Sequence, residues 1–349
     1  MNLERGTFSV DLDALAANFH TLRAEAAGAD VCPVVKADGY GLGAGPVAKR
    51  LYAEGARAFF VARLGEGEAL RAALPQPDAT IHVLDGALPG SEARLRDARL
   101  SPVLNSVDQA RAWAGPPAPL HVDTGMNRLG VSVDEALGLA KSGFRPALVM
   151  SHLGCAEDPG HPRNAEQLAR FLPVREAYSD VPASLAASGG TFLGPDYRFD
   201  AVRPGISLYG GGPRETPDAR IRAVVTLTAP VLQIHDLAAG EAVGYGAMFR
   251  APRAMRIAIV GMGYADGIIR AAHRGAKAFL NGALAPFAAV TMDLIALDID
   301  ACRSVKIGDR AELLGPNAPL DDLARASGSV AHECLVHLGR RAQRTYLGG

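Results

Sequence analysis

The chain has 349 residues, of which 48% are apolar and 21% charged, so it is an ordinary globular protein rather than a disordered, collagen-like or disulfide-scaffold chain. This is about two to three times the usual length of a domain, which leaves one large α/β barrel and two separate domains both open. The 36 Lys and Arg residues balance 37 Asp and Glu residues, and the formal net charge of -1 argues against a broad surface for nucleic acids or anionic membranes.

The cysteines and the N-terminal segment bear on the compartment in which the protein works. The four cysteines are far apart and have no C-x-x-C spacing, so the sequence indicates neither a disulfide framework nor a cysteine zinc site. The first residues lack the basic region and apolar stretch of a signal peptide. No apolar run reaches the roughly 18 residues that a membrane span needs. We therefore predict a cytoplasmic protein that has no membrane-spanning segment.

The first two thirds of the chain have the rhythm of repeated βα units. Asp11 can cap a first helix, in which Leu12, Leu15 and Leu22 share one face. Eight apolar runs are candidate strands: 31–35, 58–62, 80–84, 101–104, 119–123, 146–151, 182–187 and 201–204. Helices are predicted between most of them, for example at 65–74, 106–114, 134–142 and 163–178. This pattern predicts a closed (β/α)8 barrel of the TIM type, with an open doubly wound parallel sheet as the competing architecture.

The pattern changes near residue 213, after the Gly- and Pro-rich stretch GGGPRETPD. Apolar runs separated by turn residues then predict a mainly β region with one helical segment, at 320–326. The predicted strands of this region include 221–228, 231–235, 255–260, 287–290 and 294–299. We predict a barrel domain over residues 1–215 and a C-terminal β domain over residues 216–349.

Functional residues of a barrel cluster in the loops after the carboxyl ends of its strands. Several polar or small residues occupy such positions here: Lys36, Arg128, His152, Ser188 with Gly189 and Gly190, and Arg203 with Gly205. Small residues after strands seven and eight let backbone N–H groups approach a phosphate, although glycines there also simply make turns. A lysine opposite a phosphate site suggests pyridoxal 5′-phosphate (PLP), whose aldehyde and phosphate lie at opposite ends of one ring. We expect Arg203 to face the ring nitrogen.

Other chemistry fits the sequence less well. The glycine clusters at 41–45 and 261–267 do not match G-x-G-x-x-G, which leaves a dinucleotide-binding fold with little support. His332 and His337 are five positions apart rather than the four that stack two side chains on one helical face, and no metal site is predicted. Neither a Walker A motif nor a G-x-S-x-G motif occurs.

Seven segments carry a specific pattern when they are taken together and in order. They are VVKADGYG at 34–41, HVDTGMNRLG at 121–130, SHLG at 151–154, VRPGISLYG at 202–210, VGYG at 243–246, GYADG at 263–267 and TMD at 291–293. With these segments the chain resembles the alanine racemase family over nearly its whole length. The family consists of fold-type III PLP enzymes with an N-terminal barrel and a C-terminal β domain.

The resemblance implies roles for individual residues. Lys36 would carry PLP covalently, and Tyr245 would be the second catalytic base. The cofactor would be held by Tyr40, His152, Ser188, Arg203, Gly205 and Ile206. Arg128 and the backbone of Met292 would bind the substrate carboxylate, and the substrate entryway would include Tyr264 and Asp293. A head-to-tail homodimer is implied as well, in which Tyr245 of one subunit faces Lys36 of the other.

Two bases suit the reaction, because racemisation removes a proton from one face of Cα and returns a proton to the other. Lys36 would act from the barrel and Tyr245 from the β domain. The ordinary pKa of a phenol is about 10, so we expect Tyr245 to need cationic or hydrogen-bonding neighbours. The guanidinium of Arg203 donates hydrogen bonds without giving up a proton, which weakens the ring as an electron sink and limits side reactions.

Four positions depart from the family pattern. His121 replaces a lysine, carbamylated in some members, that positions Arg128; either His121 or a bound anion would take that role, or His121 is an ordinary strand residue. Ala289 removes an arginine from the entryway, His332 replaces a tyrosine, and Ala187 replaces an asparagine. These changes leave the two bases intact, but they put the preference for alanine and the affinity for the cofactor in question.

The sequence thus predicts a PLP-dependent isomerase that interconverts L-alanine and D-alanine and supplies D-alanine for peptidoglycan. The closest alternative is a racemase of broader or different specificity, for serine or basic amino acids. A fold-type III decarboxylase would normally present a carboxylate to the ring nitrogen, where this chain has Arg203. A PLP carrier protein would resemble the barrel alone and would lack the domain with Tyr245.

Overall fold

A computed structural model describes residues 6–349 and divides them into two compact units. One unit is Ala16–Leu208, and the other joins Tyr209–Gly349 to the described residues up to Leu15. The N-terminal strand therefore belongs with the C-terminal unit. The change of pattern near residue 213 did not indicate this grouping, because it depends on a pairing between segments about 220 positions apart.

The described chain begins with strand β1 (Thr7–Asp11), which leads directly into helix α1 (Leu12–Ala26). The carboxylate of Asp11 accepts hydrogen bonds from the N–H groups of Asp13 at 2.9 Å and Ala14 at 2.8 Å. These are donors that the first helical turn cannot satisfy internally, so Asp11 caps the helix as predicted.

The barrel unit contains eight short strands. They are β2 (Asp30–Val31), β3 (Ala58–Val61), β4 (Thr80–Val83), β5 (Ser101–Pro102), β6 (Leu120–His121), β7 (Val149–Met150), β8 (Ala183–Ser184) and β9 (Ala201–Val202). Parallel pairings join β2 to β9, β3 to β4 and β5, and β6 to β7 and β8. Each strand overlaps one of the predicted segments.

Three further contacts close the ring of strands. Single bridges from Val34 to Phe60 and from Leu104 to Leu120 connect β2 to β3 and β5 to β6. The N–H of Asp200 donates to a β8 carbonyl at 3.0 Å, which connects β9 to β8. The strands form the predicted closed barrel, and the open sheet is excluded.

Helical elements alternate with the barrel strands. They are α2 (Lys36–Tyr40), α3 (Ala44–Ala53), α4 (Leu64–Ala73), α5 (Glu92–Asp97), α6 (Val107–Ala112), α7 (Val133–Lys141), α8 (Pro162–Ala177) and α9 (Ser188–Thr191). The predicted helices correspond to α4, α6, α7 and α8. At the start of α7, Ser132 Oγ accepts from the N–H of Glu135 and the Glu135 carboxylate accepts from the N–H of Ser132, which is a capping box.

The second unit is mainly β, as predicted. Its remaining elements are β10 (Val225–Leu237), β11 (Ala242–Val243), β12 (Phe249–Arg250), β13 (Met255–Val260), β14 (Lys277–Leu280), β15 (Ala283–Val290), β16 (Ile295–Asp298), β17 (Arg310–Leu314), α10 (Leu320–Ala326), α11 (Ala331–His337) and β18 (Gln343–Leu347). The strand order β13-β16-β15-β14-β17-β10 closes by a pairing of β10 with β13, and β1 and β18 extend the sheet from β10.

Several details of this unit differ from the prediction. Strands β11, β12, β14, β17 and β18 lie outside the segments that were predicted as strands. The segments predicted at 221–228 and 231–235 form one strand, β10, whose register shifts let it bend and pair with both β17 and β13. Helix α10 matches the predicted helix, but α11 was not predicted. Val330 precedes α11 and provides no side-chain cap, so this seven-residue helix has no start signal in the sequence.

Candidate active site

Lys36 begins α2 at the carboxyl end of the first barrel strand. The next two residues, Ala37 and Asp38, have left-handed backbones with φ of 52° and 54°, which residues other than glycine rarely adopt. The turn is held by side chains. Asp38 Oδ1 accepts from the N–H of Ala44 at 2.8 Å, and Glu66 Oε1 accepts from the N–H of Ala37 at 2.9 Å. These bonds fix the backbone from which the Lys36 side chain extends.

The surroundings of Lys36 favour its neutral amine. Burial lowers the pKa of Lys36, and the positive charge of Arg128 lowers the pKa further, while Glu66 opposes the change. A lysine with a lowered pKa has a larger neutral fraction near neutral pH, as a nucleophile or a base requires. The fold thus brings Lys36 and Arg128, predicted from two separate loops, into one electrostatic environment.

Arg128 lies in the loop between β6 and α7 and is exposed. Asp123 Oδ1 accepts from the N–H of Gly125 at 2.8 Å, which turns the chain directly after β6. Gly130 has a φ of 116°, and a Cβ there would lie 2.7 Å from the backbone nitrogen of Asp123. Glycine is required for this close return of the loop. The loop therefore holds Arg128 at the carboxyl end of β6.

Arg203 is 3% exposed and is held by two neighbouring strands. Its guanidinium donates to the hydroxyl of Ser184 and to the carbonyl of Ser151, and Ser184 in turn donates to the carbonyl of Ala201 at 2.6 Å. Burial lowers the pKa of Arg203 to about 10, so the side chain stays positively charged at neutral pH. Because a guanidinium has five N–H donors, these bonds orient it and leave donors for a ligand.

The loops after β8 and β9 meet at Ser188. Its hydroxyl oxygen accepts from the N–H groups of Gly205 at 3.0 Å and Ser207 at 3.2 Å. A Cβ at Gly205 would collide with the hydroxyl of Tyr40, so only glycine allows this approach. Ser207 Oγ is buried and has no hydrogen-bond partner among residues 6–349. The predicted phosphate region therefore combines small residues with one buried hydroxyl, that of Ser207, which is available for a further hydrogen bond.

Burial also sets the protonation of Tyr40. It raises the pKa of the Tyr40 phenol, so the hydroxyl keeps its proton at neutral pH.

Two histidines share the cationic environment of Arg203 and Arg128. Burial, and then these two guanidiniums, lower the pKa of His152 well below its ordinary value and the pKa of His121 to about 4. Both imidazoles are thus neutral at neutral pH and add no repulsion to the cluster of cations.

Asn105 determines the tautomer of His121. The Asn105 Nδ2 group donates to the carbonyls of Leu84 at 2.8 Å and Val103 at 3.0 Å, so Oδ1 is the atom that lies 3.0 Å from His121 Nδ1. A carbonyl oxygen only accepts, so His121 carries its hydrogen on Nδ1 and keeps a lone pair on Nε2. Asn105 was not predicted as a site residue, and its only signal in the sequence is its position directly after the strand predicted at 101–104.

The β unit presents Tyr245 on a turn. This side chain is 82% exposed, and Gly244 before it has a φ of 78°. A pocket of about 230 Å³ is lined by Tyr245 together with Tyr264, Ala289 and Arg270. Arg270, a cation in the same pocket as the phenol, was not predicted. The departure at Ala289 also lies in this pocket.

The GYADG and TMD segments pack on each other. The carbonyl of Met292 accepts from the N–H of Ala265 at 2.9 Å, and the carbonyl of Thr291 accepts from the N–H of Tyr264 at 3.0 Å. A Cβ at Gly263 would collide with the carbonyls of Thr291 and Met292, which explains a glycine there. Tyr264 and Met292, two residues singled out from the sequence, are thereby brought together.

Arg341 supports these loops and was missed by the sequence analysis. Its Nε and Nη2 donate to the two oxygens of the buried Asp266 at 2.8 Å each, and its Nη1 donates to Asp293 at 2.7 Å. These bonds raise the pKa of Arg341. A two-point arginine–carboxylate pair is geometrically specific, so Arg341 fixes Asp293 relative to the GYADG loop.

Three further positions that were singled out from the sequence are Ile206, Ala187 and His332. Ile206 is buried in a short turn after β9, and the carbonyl of Ala187 accepts from the N–H of Thr191 at the start of α9. His332 is exposed on α11.

No group of three or more metal-binding side chains occurs within residues 6–349. In the same part of the chain, no helix has both the length and the apolar character that crossing a bilayer requires.

Comparison with known proteins covers both units. Residues 10–213 match the family of alanine racemase N-terminal domains, and residues 224–346 match the family of alanine racemase C-terminal domains. The chain is 45% identical to an alanine racemase of Rhizobium meliloti, covering 98% of this chain and 96% of the relative. It is 42% identical to a biosynthetic alanine racemase of Agrobacterium fabrum, and the match covers 97% of this chain and 93% of that relative.

Solved structures agree with these relatives. A crystal structure of alanine racemase from Bartonella henselae with covalently bound pyridoxal phosphate has a TM-score of 0.90 and 35% identity, covering 98% of this chain and 99% of that one. A crystal structure of the biosynthetic alanine racemase from Pseudomonas aeruginosa has a TM-score of 0.91 and 32% identity, and the match covers 99% of this chain and 100% of that one. The similarity extends over the barrel and the β unit, and the chain belongs to the alanine racemase family.

Proposed function

We propose that the chain is a PLP-dependent racemase that interconverts L-alanine and D-alanine, with Lys36 and Tyr245 as its two bases. The observation that carries this proposal is the barrel end itself, where Lys36 has a lowered pKa and Arg203 is buried and oriented. Relatives that match nearly the whole chain are named alanine racemases. A racemase of serine or basic amino acids is not favoured by these relatives.

The barrel residues fit PLP. The Ser207 hydroxyl has no hydrogen-bond partner within residues 6–349, so it keeps hydrogen-bond capacity that suits a phosphate, and the absence of a Cβ at Gly205 admits the Tyr40 hydroxyl to the same region. We propose that the cofactor is held by Lys36, Tyr40, His152, Ser188, Arg203, Gly205 and Ile206. When it is bound, PLP supplies an electron-withdrawing ring that makes the Cα proton of the substrate more acidic.

The chain's own groups then hold the substrate and move the proton. Arg128 and the backbone of Met292 would bind the carboxylate, and the amine of Lys36 would accept a proton from Cα on one face. Arg203 keeps its charge, because even its lowered pKa is about 10, and it therefore donates hydrogen bonds without giving up a proton. This limits electron withdrawal by the ring and favours return of the proton to Cα over other reactions.

Tyr245 would act on the other face. Tyr245 is 82% exposed, so a base at this position needs another surface to cover it and exclude water. Arg270 lines the same pocket and supplies a nearby positive charge. We propose a head-to-tail homodimer in which Tyr245 of one subunit completes the site of the other. Such an arrangement gives two shared sites per dimer.

We place this activity in the cytoplasm, where D-alanine would serve the synthesis of peptidoglycan. All four cysteines are free, as expected in a reducing compartment.

Substrate choice tests the proposal. The purified holoenzyme is given L-alanine, L-serine, L-lysine and L-arginine, and racemisation is followed by chiral chromatography. We expect kcat/KM for alanine to exceed the others by about tenfold or more, since small pockets discriminate by roughly 1–3 kcal/mol per extra group. A preference for serine or a basic amino acid would support the alternative racemase. Release of CO2 would indicate a decarboxylase, and PLP binding without turnover would indicate a carrier.

His121 provides a second prediction. With its hydrogen on Nδ1, the neutral imidazole offers the Nε2 lone pair to a guanidinium, which lets it position Arg128 without a carbamylated lysine. His121→Phe keeps a ring of similar size but removes both nitrogens. We expect KM for alanine to rise about tenfold with little change in kcat, which corresponds to one lost hydrogen bond to a charged group.

Two comparisons separate this role from a bound anion or a plain strand residue. Asn105→Ala removes the partner that sets the tautomer, so it is expected to raise KM in the same direction as His121→Phe. If an anion positions Arg128 instead, KM of the unmodified enzyme will change when chloride is replaced by a larger anion. An unaltered KM in His121→Phe would show that His121 is a strand residue only.

A further inference from the structure

Helix α8 presents three long polar side chains to the loop between β6 and α7, residues 122–132, which we call the β6 loop. They are Arg163, Gln167 and Arg170, whose spacing of four and three positions places them on one face of the helix. Arg163 donates to the carbonyl of Gly125, and Arg170 donates to the carbonyl of Thr124 at 3.4 Å. Nε2 of Gln167 donates to the hydroxyl of Thr124 at 3.3 Å. One helix face thus holds the backbone that follows β6.

Gln167 also reaches the loop between β7 and α8, residues 151–161, which we call the β7 loop. Its Nε2 donates to the carbonyl of His152 at 2.9 Å, and its Oε1 accepts from the N–H of Gly154 at 2.8 Å. A backbone carbonyl only accepts and a backbone N–H only donates, so the orientation of the amide is fixed. Gln167 is 1% exposed. It is therefore a buried link between two loops that belong to different βα units.

Both loops carry residues of the site. Arg128 lies in the β6 loop, and His152 lies in the β7 loop. The hydroxyls of Thr124 and Ser151 are hydrogen-bonded at 2.8 Å, and the carbonyl of Ser151 accepts from the guanidinium of Arg203. Hydrogen bonds thus lead from the amide on α8 through both loops to the buried arginine. The effect of this amide on the chemistry passes through the groups that the loops carry.

We infer that Gln167 is a positioning residue of the racemase, which holds the β6 loop against the β7 loop and thereby places Arg128 for the substrate carboxylate. The inference rests on the proposed function, which assigns the carboxylate to Arg128. Arg128 is exposed, so its position is set by the backbone that carries it more than by packing of its side chain. A loop that is already ordered spares substrate binding the entropic cost of ordering it.

Gln167→Met keeps the length of the side chain and removes its three hydrogen bonds. We expect KM for alanine to rise about tenfold and kcat to change by less than about threefold, because the contact to the carboxylate is made equally before and during the reaction. Propionate is alanine without its amino group, so it contacts Arg128 without reacting. Its inhibition constant should rise by the same factor as KM.

Val174→Ala is the matched control for a loss of stability. Val174 is buried two turns further along the same face of α8, and truncation removes packing without removing a hydrogen bond to either loop. We expect a lower melting temperature with unaltered KM and unaltered inhibition by propionate. An equal rise of KM in Val174→Ala would show that any weakening of α8 has this effect, which would overturn the specific role of Gln167.

A double-mutant cycle tests whether Gln167 acts through Arg128. Arg128→Lys keeps a cation but removes the guanidinium. In this background Gln167→Met is expected to change KM by about twofold or less, because the group through which it acts has been altered. A full tenfold effect there would contradict the inference. Thr124→Val removes the hydroxyl that links the amide to the β6 loop and should raise KM as Gln167→Met does, whereas Thr124→Ser keeps the hydroxyl and should restore KM.

Hydrogen exchange of the holoenzyme, followed by mass spectrometry, gives a readout that does not depend on the reaction. In Gln167→Met we expect faster exchange in the β6 and β7 loops and unaltered exchange in β3 and β4. Unaltered exchange in both loops, or unaltered KM, would refute the inference while leaving the proposed function intact. If the unmodified holoenzyme did not racemise alanine, the proposed function would be wrong and with it the role in placing the carboxylate, and exchange would still decide whether Gln167 holds the loops.

Discussion

Lys36→Ala is expected to abolish racemisation in both directions, with kcat/KM reduced by about 10,000-fold or more. The substitution removes the covalent attachment of the cofactor and one of the two bases at once. Burial and the charge of Arg128 lower the pKa of Lys36, which increases the neutral fraction of the amine that both roles require. Activity is measured by chiral chromatography, and covalent attachment is measured by the visible absorbance of the bound cofactor.

Two controls make this result interpretable. Lys49→Ala removes an exposed lysine from α3 in the same unit and is expected to leave activity unchanged. A small primary amine added to Lys36→Ala is expected to restore part of the activity, because it can supply a neutral amine in the space that the side chain leaves. Full activity in Lys36→Ala would contradict the assigned chemistry.

Tyr245→Phe is expected to lower racemisation by about 100-fold to 10,000-fold, the usual contribution of one acid/base group. Because Lys36 would still serve one face of Cα, the variant should exchange the Cα proton for solvent deuterium in only one enantiomer of alanine. Mass spectrometry measures this exchange separately from racemisation. Exchange confined to one enantiomer is a result that a purely structural defect would not produce.

Tyr346→Phe is the matched control, since it removes another phenol of the β unit and should keep full activity. The proposed homodimer adds a test by complementation. When Lys36→Ala and Tyr245→Phe chains are co-expressed, a mixed dimer has one site with both defects and one with neither, so about a quarter of all sites should be active. If Tyr245→Phe alone kept full activity in both directions, the two-base assignment would be wrong.

Local patterns were sufficient to predict most of the barrel. Its strands are short apolar runs bounded by turn residues, and each of the eight predicted runs overlaps a strand in the structure. The capping role of Asp11 and the helix at 320–326 were predicted for the same reason, because caps and helical periodicity are properties of neighbouring residues. The motif loops around Lys36 and Arg203 were recognisable because each is a contiguous segment.

Features that depend on distant partners were not predictable in this way. Bulges join two predicted segments into β10, α11 lacks a cap, and β1 belongs to the C-terminal unit through its pairing with β10 and β18. Arg341 is one of many arginines in the sequence, and only the folded chain brings it to Asp266 and Asp293. Asn105 became meaningful only when its amide was found bound to two carbonyls.

The sequence by itself determined which chemical groups this protein possesses, the barrel and β architecture that carries them, and the family to which it belongs. The tertiary structure alone decided their electrostatic state: the lowered pKa of Lys36, the neutrality of His121 and its tautomer, and the orientation of Arg203. It also revealed a cavity of about 740 Å³ at the amino ends of the barrel strands, and its wall collects residues from β2, β3, β4, β5 and β9. A protonation state or a cavity depends on desolvation and on charges from remote segments, and these quantities exist only once the chain has folded.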